Sequence, residues 1–366
     1  MTRYRDLGLT VGDLPTGPLN AITDVDGVKV GFTTLVRGEG PLVRGEGPVR
    51  TGVTVIIPHD GIGIAPVFAG CHRLNGNGEL TGLEWVRESG QLTTPVAITN
   101  THSVGVVRDA IVASEIATRA DAGSHWSLPV VGETWDGSMN DINGFHVREE
   151  HVDAALDSAS GGPVAEGNVG GGTGMICHEF KGGTGTASRV VSGWTVGALV
   201  QANYGDRERL RVDGVPVGRE LGYDVVPSPF EDPRDAGAGS IIVVVATDAP
   251  LLPHQLERIA QRPGLGIARV GGAGENSSGD LFLAFSTANR GRISSYKDED
   301  DGAPIEVEML RDAQISQLFW ATIESVEEAI LNALVAAETL VGPDGVTAHA
   351  LPHEALVDVM RRYGRA

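Results

Sequence analysis

Short apolar segments typical of buried strands alternate along this chain with segments whose apolar residues recur at helical spacing, and this alternation most limits what the chain can fold into. The segment 20–35, with Asp26-Gly27 at its middle, predicts an opening β-hairpin. The other predicted strands are 52–58, 95–100, 195–205, 241–245 and 280–289, and the predicted helices are 105–120, 253–262, 315–342 and 353–364. The two last helices are expected to pack on the outside of sheets.

Size and charge narrow the classes of protein further. The chain has 366 residues, of which 41% are hydrophobic and 51 are glycine, so it can bury one large core or two ordinary ones. The proline- and acid-rich segment 227–239 is predicted to be an exposed connector. The formal charge of −20 leaves no basic patch for nucleic acid, whereas an acidic pocket for a cationic substrate is compatible with it.

Cysteine content and targeting signals predict a cytoplasmic protein without a membrane partner. Cys71 and Cys177 lie far apart and outside any C-x-x-C pair, so neither a disulfide framework nor a zinc ribbon is indicated. The first residues lack the apolar core of a secretory signal, and no apolar run approaches the ~18 residues of a membrane span.

The common cofactor motifs are absent, so we expect neither a cofactor nor a metal. The glycine-rich run 166–189 contains no G-x-x-x-x-G-K-[ST] and no strand-to-helix G-x-G-x-x-G, which favours close backbone packing over phosphate binding. His146 and His151 are five residues apart, and H-E-x-x-H is missing. The nearest match to a hydrolase elbow, "THSVG" at 101–105, lacks its first glycine.

Ser240 is the residue whose setting suggests chemistry. It stands between Gly239, the last residue of the connector, and the apolar run 241–245. If the Gly239–Ser240 bond is cut, Ser240 gains an α-amine with a reference pKa of about 7.7–8.0, which can act as base for its own hydroxyl. The simpler interpretation is a turn residue at the start of a strand.

A second hydroxyl and a carboxylate follow near the predicted strand 280–289. Ser278 and Asp280 are two residues apart and would share one face of a strand, so both could point at Ser240. A capped turn is the alternative interpretation of the same pattern.

Taken together, "PLNAITDVDGVKVG", "RTGVTVI", "GGPVAEGNVGGGTGM", "VQANYGDR", "GSIIVVVATDAPLLPHQLERIA" and "SGDLFLAFSTAN" resemble the L-aminopeptidase/D-esterase (DmpA-type) family, which includes the β-aminopeptidases. The resemblance spans nearly the whole chain. It implies a single α+β domain, a four-layer αββα sandwich like that of the N-terminal nucleophile hydrolases but with different connectivity. It also implies self-cleavage into an α chain 1–239 and a β chain 240–366, and assembly of αβ units into homo-oligomers, with a tetramer favoured.

The resemblance also assigns roles to individual residues. Ser240 would be the nucleophile, Asn203 would stabilise the oxyanion, and Ser278 would be the second active-site serine. Asp280 stands where compared members have glutamate, so its shorter arm is expected to reach Ser278 or the Ser240 amine only through water or a backbone shift.

Two further residues are expected to bind the substrate. Glu133 would pair with the substrate's free amino group, and Trp135 would line the same pocket, with core packing an equally weighted alternative for Trp135. The implied function is an autoprocessing serine aminopeptidase that removes small N-terminal residues from short peptides, amides or esters. The alternatives are a β-aminopeptidase and a catalytically silent relative that binds a ligand.

Overall fold

The computed structural model describes residues 1–119, 121–230, 239–293 and 304–366. Its strands are β1 Lys29–Arg37, β2 Val49–Ile57, β3 Val67–Gly76, β4 Gln91–Leu92, β5 Val96–Asn100, β6 Val130–Thr134, β7 Ile176–Cys177, β8 Phe180–Lys181, β9 Gly183–Val191, β10 Trp194–Asn203, β11 Ser240–Thr247, β12 Gly279–Ser286, β13 Leu340–Val341 and β14 Thr347–Ala348. Its α-helices are α1 Leu83–Ser89, α2 Val104–Thr118, α3 Glu149–Asp157, α4 Val217–Glu220, α5 Pro253–Ala260, α6 Pro263–Val270, α7 Ile315–Ala336 and α8 His353–Arg362.

Two large sheets form the centre of the molecule. Among the described residues, one sheet has four strands in the order β1-β2-β5-β6, and the other has six in the order β4-β3-β12-β11-β10-β9. Apolar side chains of both sheets meet between them, including Ile56 and Ile98 from the smaller sheet and Ile242 and Leu283 from the larger. The two sheets therefore pack face to face.

Helices cover the outer face of each sheet. Val107 and Ile111 of α2 pack with Val55 and Val131 of the four-stranded sheet. On the other side, α5, α6, α7 and α8 contribute apolar side chains to one cluster with the outward residues of the six-stranded sheet. The predicted four-layer αββα sandwich is thus confirmed.

Strand β11 lies inside the larger sheet and is buried on both faces. It pairs antiparallel with β10 and parallel with β12. Ile242 and Val244 face the other sheet, while Ile241 and Val243 face the helices. This two-sided burial explains why the run 241–245 is continuously apolar.

Two local predictions are wrong. The segment around Asp26-Gly27 is a turn and not a hairpin, because Ile22–Asp24 forms a 3-10 helix and the Asp24 carboxylate accepts from the Leu19 and Ala21 amides. The helix predicted to reach residue 342 ends at Ala336, where the chain turns to extended backbone and then forms β13.

The remaining expectations about the chain's course are tested only in part. Of the predicted exposed connector 227–239, residues 231–238 lie outside the described residues. In the ranges that the structure does describe, no helix is both long and apolar enough to cross a membrane.

Candidate active site

Ser240 is the first residue of β11, and its neighbours on both sides belong to the candidate site. It is paired with Asn203, the last residue of β10, and with Gly279, the first residue of β12. Its side chain is buried, and its hydroxyl accepts a hydrogen bond of 3.1 Å from the Gly279 N–H. Strand pairing therefore brings together residues that are 37 or more positions apart in the sequence.

The Asn203 side chain lies on the same sheet face as the Ser240 hydroxyl, because directly paired residues of antiparallel strands share a face. Its Oδ1 accepts from the Ile176 N–H at 2.8 Å, and its Nδ2 donates to the Trp135 carbonyl at 2.9 Å. These two bonds fix which end of the amide carries the donors. One N–H of Nδ2 is thereby left for a group bound beside Ser240.

Ser278 and Asp280 share a face, as the spacing predicted. The Ser278 hydroxyl donates to Asp280 Oδ1 at 2.6 Å, and both side chains are buried. Of the two expected routes, water or a backbone shift, water is not needed for the contact with Ser278. Burial raises the pKa of Asp280 above its usual value, against the lowering effect of the Ser278 hydrogen bond.

The Asp280 carboxylate and the Ser240 hydroxyl lie on opposite faces of the sheet. Residues two positions apart in a strand share a face. Ser240 therefore shares the face of Ile242, which meets the other sheet, whereas Asp280 shares the face of Phe282, which meets the helices. Asp280 therefore does not point at the Ser240 hydroxyl, contrary to one of the sequence expectations. The Ser240 backbone nitrogen lies between the two faces.

Glu133, on β6, is buried at the end of the smaller sheet. It accepts hydrogen bonds from the Glu79 amide at 2.9 Å and from the Thr101 hydroxyl. Burial raises its pKa, although the Thr101 and Glu79 bonds act to lower it. No lysine or arginine in the part of the chain that the structure describes forms an ion pair with it.

Glu133 is close to the strand that carries Asp280. A side-chain carbon on Gly78 would lie 3.0 Å from Glu133 Oε1 and 3.1 Å from the Gly279 Cα. One glycine thus separates the carboxylate from the residue paired with Ser240.

Trp135 lies just beyond the end of β6 and is 47% exposed, so core packing is excluded for it. Its ring covers Gly137 so closely that a side chain there would overlap it. Its carbonyl is the group that holds Asn203. An exposed indole on the residue whose carbonyl holds Asn203 is suited to contact a small molecule that enters from solvent.

The glycine-rich run 166–189 packs against backbone, as the missing phosphate motifs suggested. Side-chain carbons at Gly171 or Gly172 would overlap the Ile98 carbonyl oxygen or the Thr184 backbone nitrogen. The buried Lys181 ammonium donates to the Met175 carbonyl at 2.8 Å and to the Gly182 carbonyl at 2.7 Å. Burial lowers the pKa of Lys181 to about 7. This lysine holds the segment that precedes Ile176.

Sequence reasoning missed four residues around the site. These are Thr101, which holds Glu133, Gly279, whose amide contacts Ser240, Lys181, and Tyr204, which follows Asn203. Tyr204 and Gly279 each had a signal, since they stand inside the quoted motifs "VQANYGDR" and "SGDLFLAFSTAN". Within the described ranges, no group of three or more histidine, cysteine, aspartate or glutamate side chains could hold a metal ion.

Comparison with known proteins gives one family. The model of "Peptidase family S58" matches residues 20–348. The chain is 51% identical over 375 aligned residues to the beta-peptidyl aminopeptidase BapA of Sphingosinicella microcystinivorans, which covers 99% of this chain and 93% of the relative.

Solved structures give the same result. A beta-aminopeptidase of Burkholderia sp. superposes with a TM-score of 0.91 at 55% identity, covering 99% of each chain. The L-aminopeptidase D-Ala-esterase/amidase of Ochrobactrum anthropi, described as a variant of the Ntn hydrolase fold, has a TM-score of 0.91 at 48% identity, covering 100% of this chain and 99% of that one.

Proposed function

Since the chain belongs to peptidase family S58 and is a hydrolase of that family, we propose that it is an autoprocessing serine aminopeptidase whose nucleophile is Ser240. The observation that carries this proposal is the strand pairing of Ser240 with Asn203 on one side and Gly279 on the other. That pairing gathers a hydroxyl, an amide donor and the Ser278–Asp280 pair at one end of the larger sheet.

Self-cleavage would begin with attack of the Ser240 hydroxyl on the Gly239 carbonyl, and water would then hydrolyse the resulting ester. The products are a Gly239 carboxylate and a free Ser240 amine, in an α chain 1–239 and a β chain 240–366. Gly239 lies so close to the Asn203 carbonyl that a side chain would overlap it. This close packing supports a Gly239–Ser240 peptide bond that is held in a fixed position for attack.

The freed amine would then be the base in substrate hydrolysis. It removes the proton from the Ser240 hydroxyl as the oxygen attacks the substrate carbonyl, and it passes that proton to the leaving amine. Ser278 and Asp280 would hold the amine, because their hydrogen-bonded pair lies on the face opposite the Ser240 hydroxyl, next to the residue paired with Ser240. Water then releases the acyl group from Ser240.

Asn203 and Glu133 would bind the two ends of the reacting residue. The N–H of Asn203 that is left by the Trp135 bond would donate to the oxyanion. The buried Glu133 carboxylate would pair with the ammonium group at the substrate's N-terminus. Because only the first residue of a peptide carries a free amine, this pairing explains the removal of a single N-terminal residue. Trp135 would line the entrance to this pocket.

The test is a denaturing gel of the purified wild type and Ser240→Ala. We expect two fragments from the wild type, the smaller beginning Ser-Ile-Ile-Val on N-terminal sequencing, and a single inactive species from the variant. An uncut wild type with full activity would falsify the proposal.

Selectivity for N-terminal β-amino acids is the second candidate, favoured by the names of the 51% and 55% identical relatives. The two substrate types differ by one carbon between the amine and the carbonyl, so the distance from Glu133 to Ser240 selects between them. Comparing hydrolysis of alanine and β-homoalanine p-nitroanilides decides the question: faster turnover of the β compound supports this candidate, and faster turnover of alanine excludes it.

A silent ligand-binding relative is less consistent with the direct Ser278–Asp280 contact. A serine-directed acylating reagent should add its mass to the β fragment, whereas a silent relative takes no label.

We further propose a homo-oligomer of αβ units, with a tetramer favoured, in the cytoplasm. The buried, unpaired thiols of Cys71 and Cys177 are consistent with that compartment.

A further inference from the structure

Two buried polar atoms beside the nucleophile strand have no hydrogen-bond partner among the described residues. They are Oδ2 of Asp280 and the hydroxyl of Tyr204. Asp280 is 2% exposed and Tyr204 is 6% exposed, so bulk water does not reach either group freely. An unpaired buried carboxylate oxygen is costly, and native proteins seldom leave one unsatisfied.

The strand register places the two side chains on either side of Ser240 and on the same face of the sheet. Tyr204 follows Asn203 after β10, and Asp280 follows Gly279 in β12, and both Asn203 and Gly279 are paired with Ser240. Alternation turns Tyr204 and Asp280 to the face that carries the helices, where Tyr204 is part of the apolar cluster.

The same short segment covers both groups. A side-chain carbon on Gly272 would lie 2.6 Å from Cε2 of Tyr204, and one on Gly274 would lie 3.4 Å from Oδ2 of Asp280. The turn that follows α6 therefore encloses the phenol and the carboxylate together. Because these positions are glycines, no side chain of the turn fills the region beside Asp280 Oδ2 or beside the Tyr204 ring.

Electrostatics agree with this proximity. The pKa of Tyr204 is raised by burial, by Cys177 and by the charge of Asp280. The titratable groups packed against Tyr204 are Cys177 and His178, whose ring centroid lies 5.1 Å from that of Tyr204. Around Asp280, burial and the Ser278 hydrogen bond are what shift the pKa.

We propose that Tyr204 is a positioning residue for the Ser240 chemistry: its hydroxyl donates through one buried water to Asp280 Oδ2, while Oδ1 holds Ser278. A phenol can donate and an ionised carboxylate can only accept, so the two groups are complementary. A single water with two or more polar partners is the usual way to satisfy such a pair. This inference rests on the proposed nucleophilic role of Ser240.

The first test is Tyr204→Phe, which removes only the hydroxyl. Loss of a donor to the ionised carboxylate raises the pKa of Asp280, so the acidic limb of the kcat/KM profile should move up by about 1 pH unit. We expect kcat to fall about tenfold with little change in KM, since orientation of the reacting groups is affected and not substrate binding.

Tyr4→Phe is the matched control. The Tyr4 hydroxyl is also buried without a partner in the described chain, and its ring belongs to the same apolar cluster. Tyr4 contacts Asn332 of α7, away from Ser240. A merely structural effect of deleting a buried phenol hydroxyl would move both variants alike, and neither pH profile would shift.

The second test is the pair Asp280→Asn and Asp280→Asn/Tyr204→Phe. Asparagine does not ionise, so Tyr204→Phe should no longer move the acidic limb of the kcat/KM profile in this background. A limb that still moves in the asparagine background, or a Tyr204→Phe profile equal to that of Tyr4→Phe, would overturn the inference. Activity in Ser240→Ala would overturn both this inference and the proposed function, whereas an inactive Ser240→Ala with an unaffected Tyr204→Phe overturns the inference alone.

Discussion

Asn203, the proposed oxyanion donor, has a side chain whose orientation is fixed by two hydrogen bonds. Both ends of its amide are fixed by backbone groups of Ile176 and Trp135, which come from other elements than β10. Such an amide needs no reorientation when negative charge develops beside it, and this preorganisation is the main source of oxyanion stabilisation.

Replacing Asn203 by alanine should lower kcat by about 10²–10³ while KM changes little, because the lost donor acts in the transition state. Steady-state kinetics with an alanine p-nitroanilide measures this. Gln201→Ala is the matched control, since Gln201 lies on the same face of β10 and its amide donates to the Thr99 carbonyl and the Thr134 hydroxyl. Equal losses of kcat in the two variants would argue against an oxyanion role.

Asp136, the residue after Trp135, is a buried carboxyl whose pKa is raised to about 7 by burial, against hydrogen bonds from Thr51 and Asn140. Asn140 Nδ2 donates to its Oδ1 at 3.0 Å. Between the unfolded pKa near 4 and about 7, the folded protein binds a proton that the unfolded chain has released. Stability due to this group is therefore fully present below pH ~4 and is lost as pH rises toward 7.

Asp136→Asn should remove that pH dependence, because asparagine keeps an acceptor for Asn140 and does not ionise. The free energy of unfolding of the variant, relative to wild type, should rise by up to ~1.4 kcal/mol per pH unit between pH 5 and 7 and level off above. Denaturant unfolding at several pH values measures it. Asp153→Asn, at an exposed position of α3, should run parallel to wild type. A parallel course for Asp136→Asn as well would contradict the assignment.

At the scale of elements, α7 is tied to the larger sheet by a buried ion network as well as by apolar packing. Arg189 of β9 donates to Glu328 at 2.7 Å and to Glu324 at 3.1 Å, and both glutamates belong to α7. Arg5 reaches Glu328 from the N-terminal segment at 2.6 Å. Burial acts to raise the pKa of Glu328, but Arg5 and Arg189 hold it below its usual value.

Arg189→Met should lower the free energy of unfolding by about 3–5 kcal/mol, because it leaves two buried carboxylates short of their partner. Chemical denaturation provides the measurement. Arg290→Met is the control: Arg290 pairs with Asp26 at a similar distance of 2.6 Å, but both side chains are exposed, so ~0–1 kcal/mol is expected. A loss for Arg189→Met no larger than that of the control would show that burial adds nothing to this ion network.

At the scale of the whole molecule, the proposed cleavage divides one sheet between two chains. Strands β11 and β12 would belong to the β chain, while their neighbours β10 and β3 would belong to the α chain. Backbone hydrogen bonds and both apolar clusters of the larger sheet join the two parts. Neither part contains the complete sheet.

The two fragments of the wild type should therefore co-elute in gel filtration without denaturant and separate only in a denaturing gel. A light-scattering mass of about four αβ units would support the proposed tetramer. Ser240→Ala should elute at the same volume as a single uncut species. Fragments that separate under native conditions would contradict a shared core.

The sequence predicted the elements and the family, and part of the site. Apolar period-two and helical patterns placed β2, β5, β10, β11 and β12 within a few residues and gave the start of the long helix at Ile315, because the local sequence shows which faces of an element are buried. Quoted motifs led to the family that is confirmed, with its αββα layers. The spacing of Ser278 and Asp280 correctly predicted a shared face.

Other features were decided only by tertiary structure. Hydrogen bonds to the Asp24 carboxylate stabilise a turn where the sequence pattern had predicted a hairpin. A tryptophan can lie in a core or line a pocket, and only the structure shows that Trp135 is exposed. The contact of Thr101 with Glu133, and the electrostatic effect of Asp280 on Tyr204, join residues that are far apart in the sequence. Periodicity along one segment reports which face is buried, but not which distant residue packs against that face. Sheet order and strand register decide that, and they arise only when the whole core assembles.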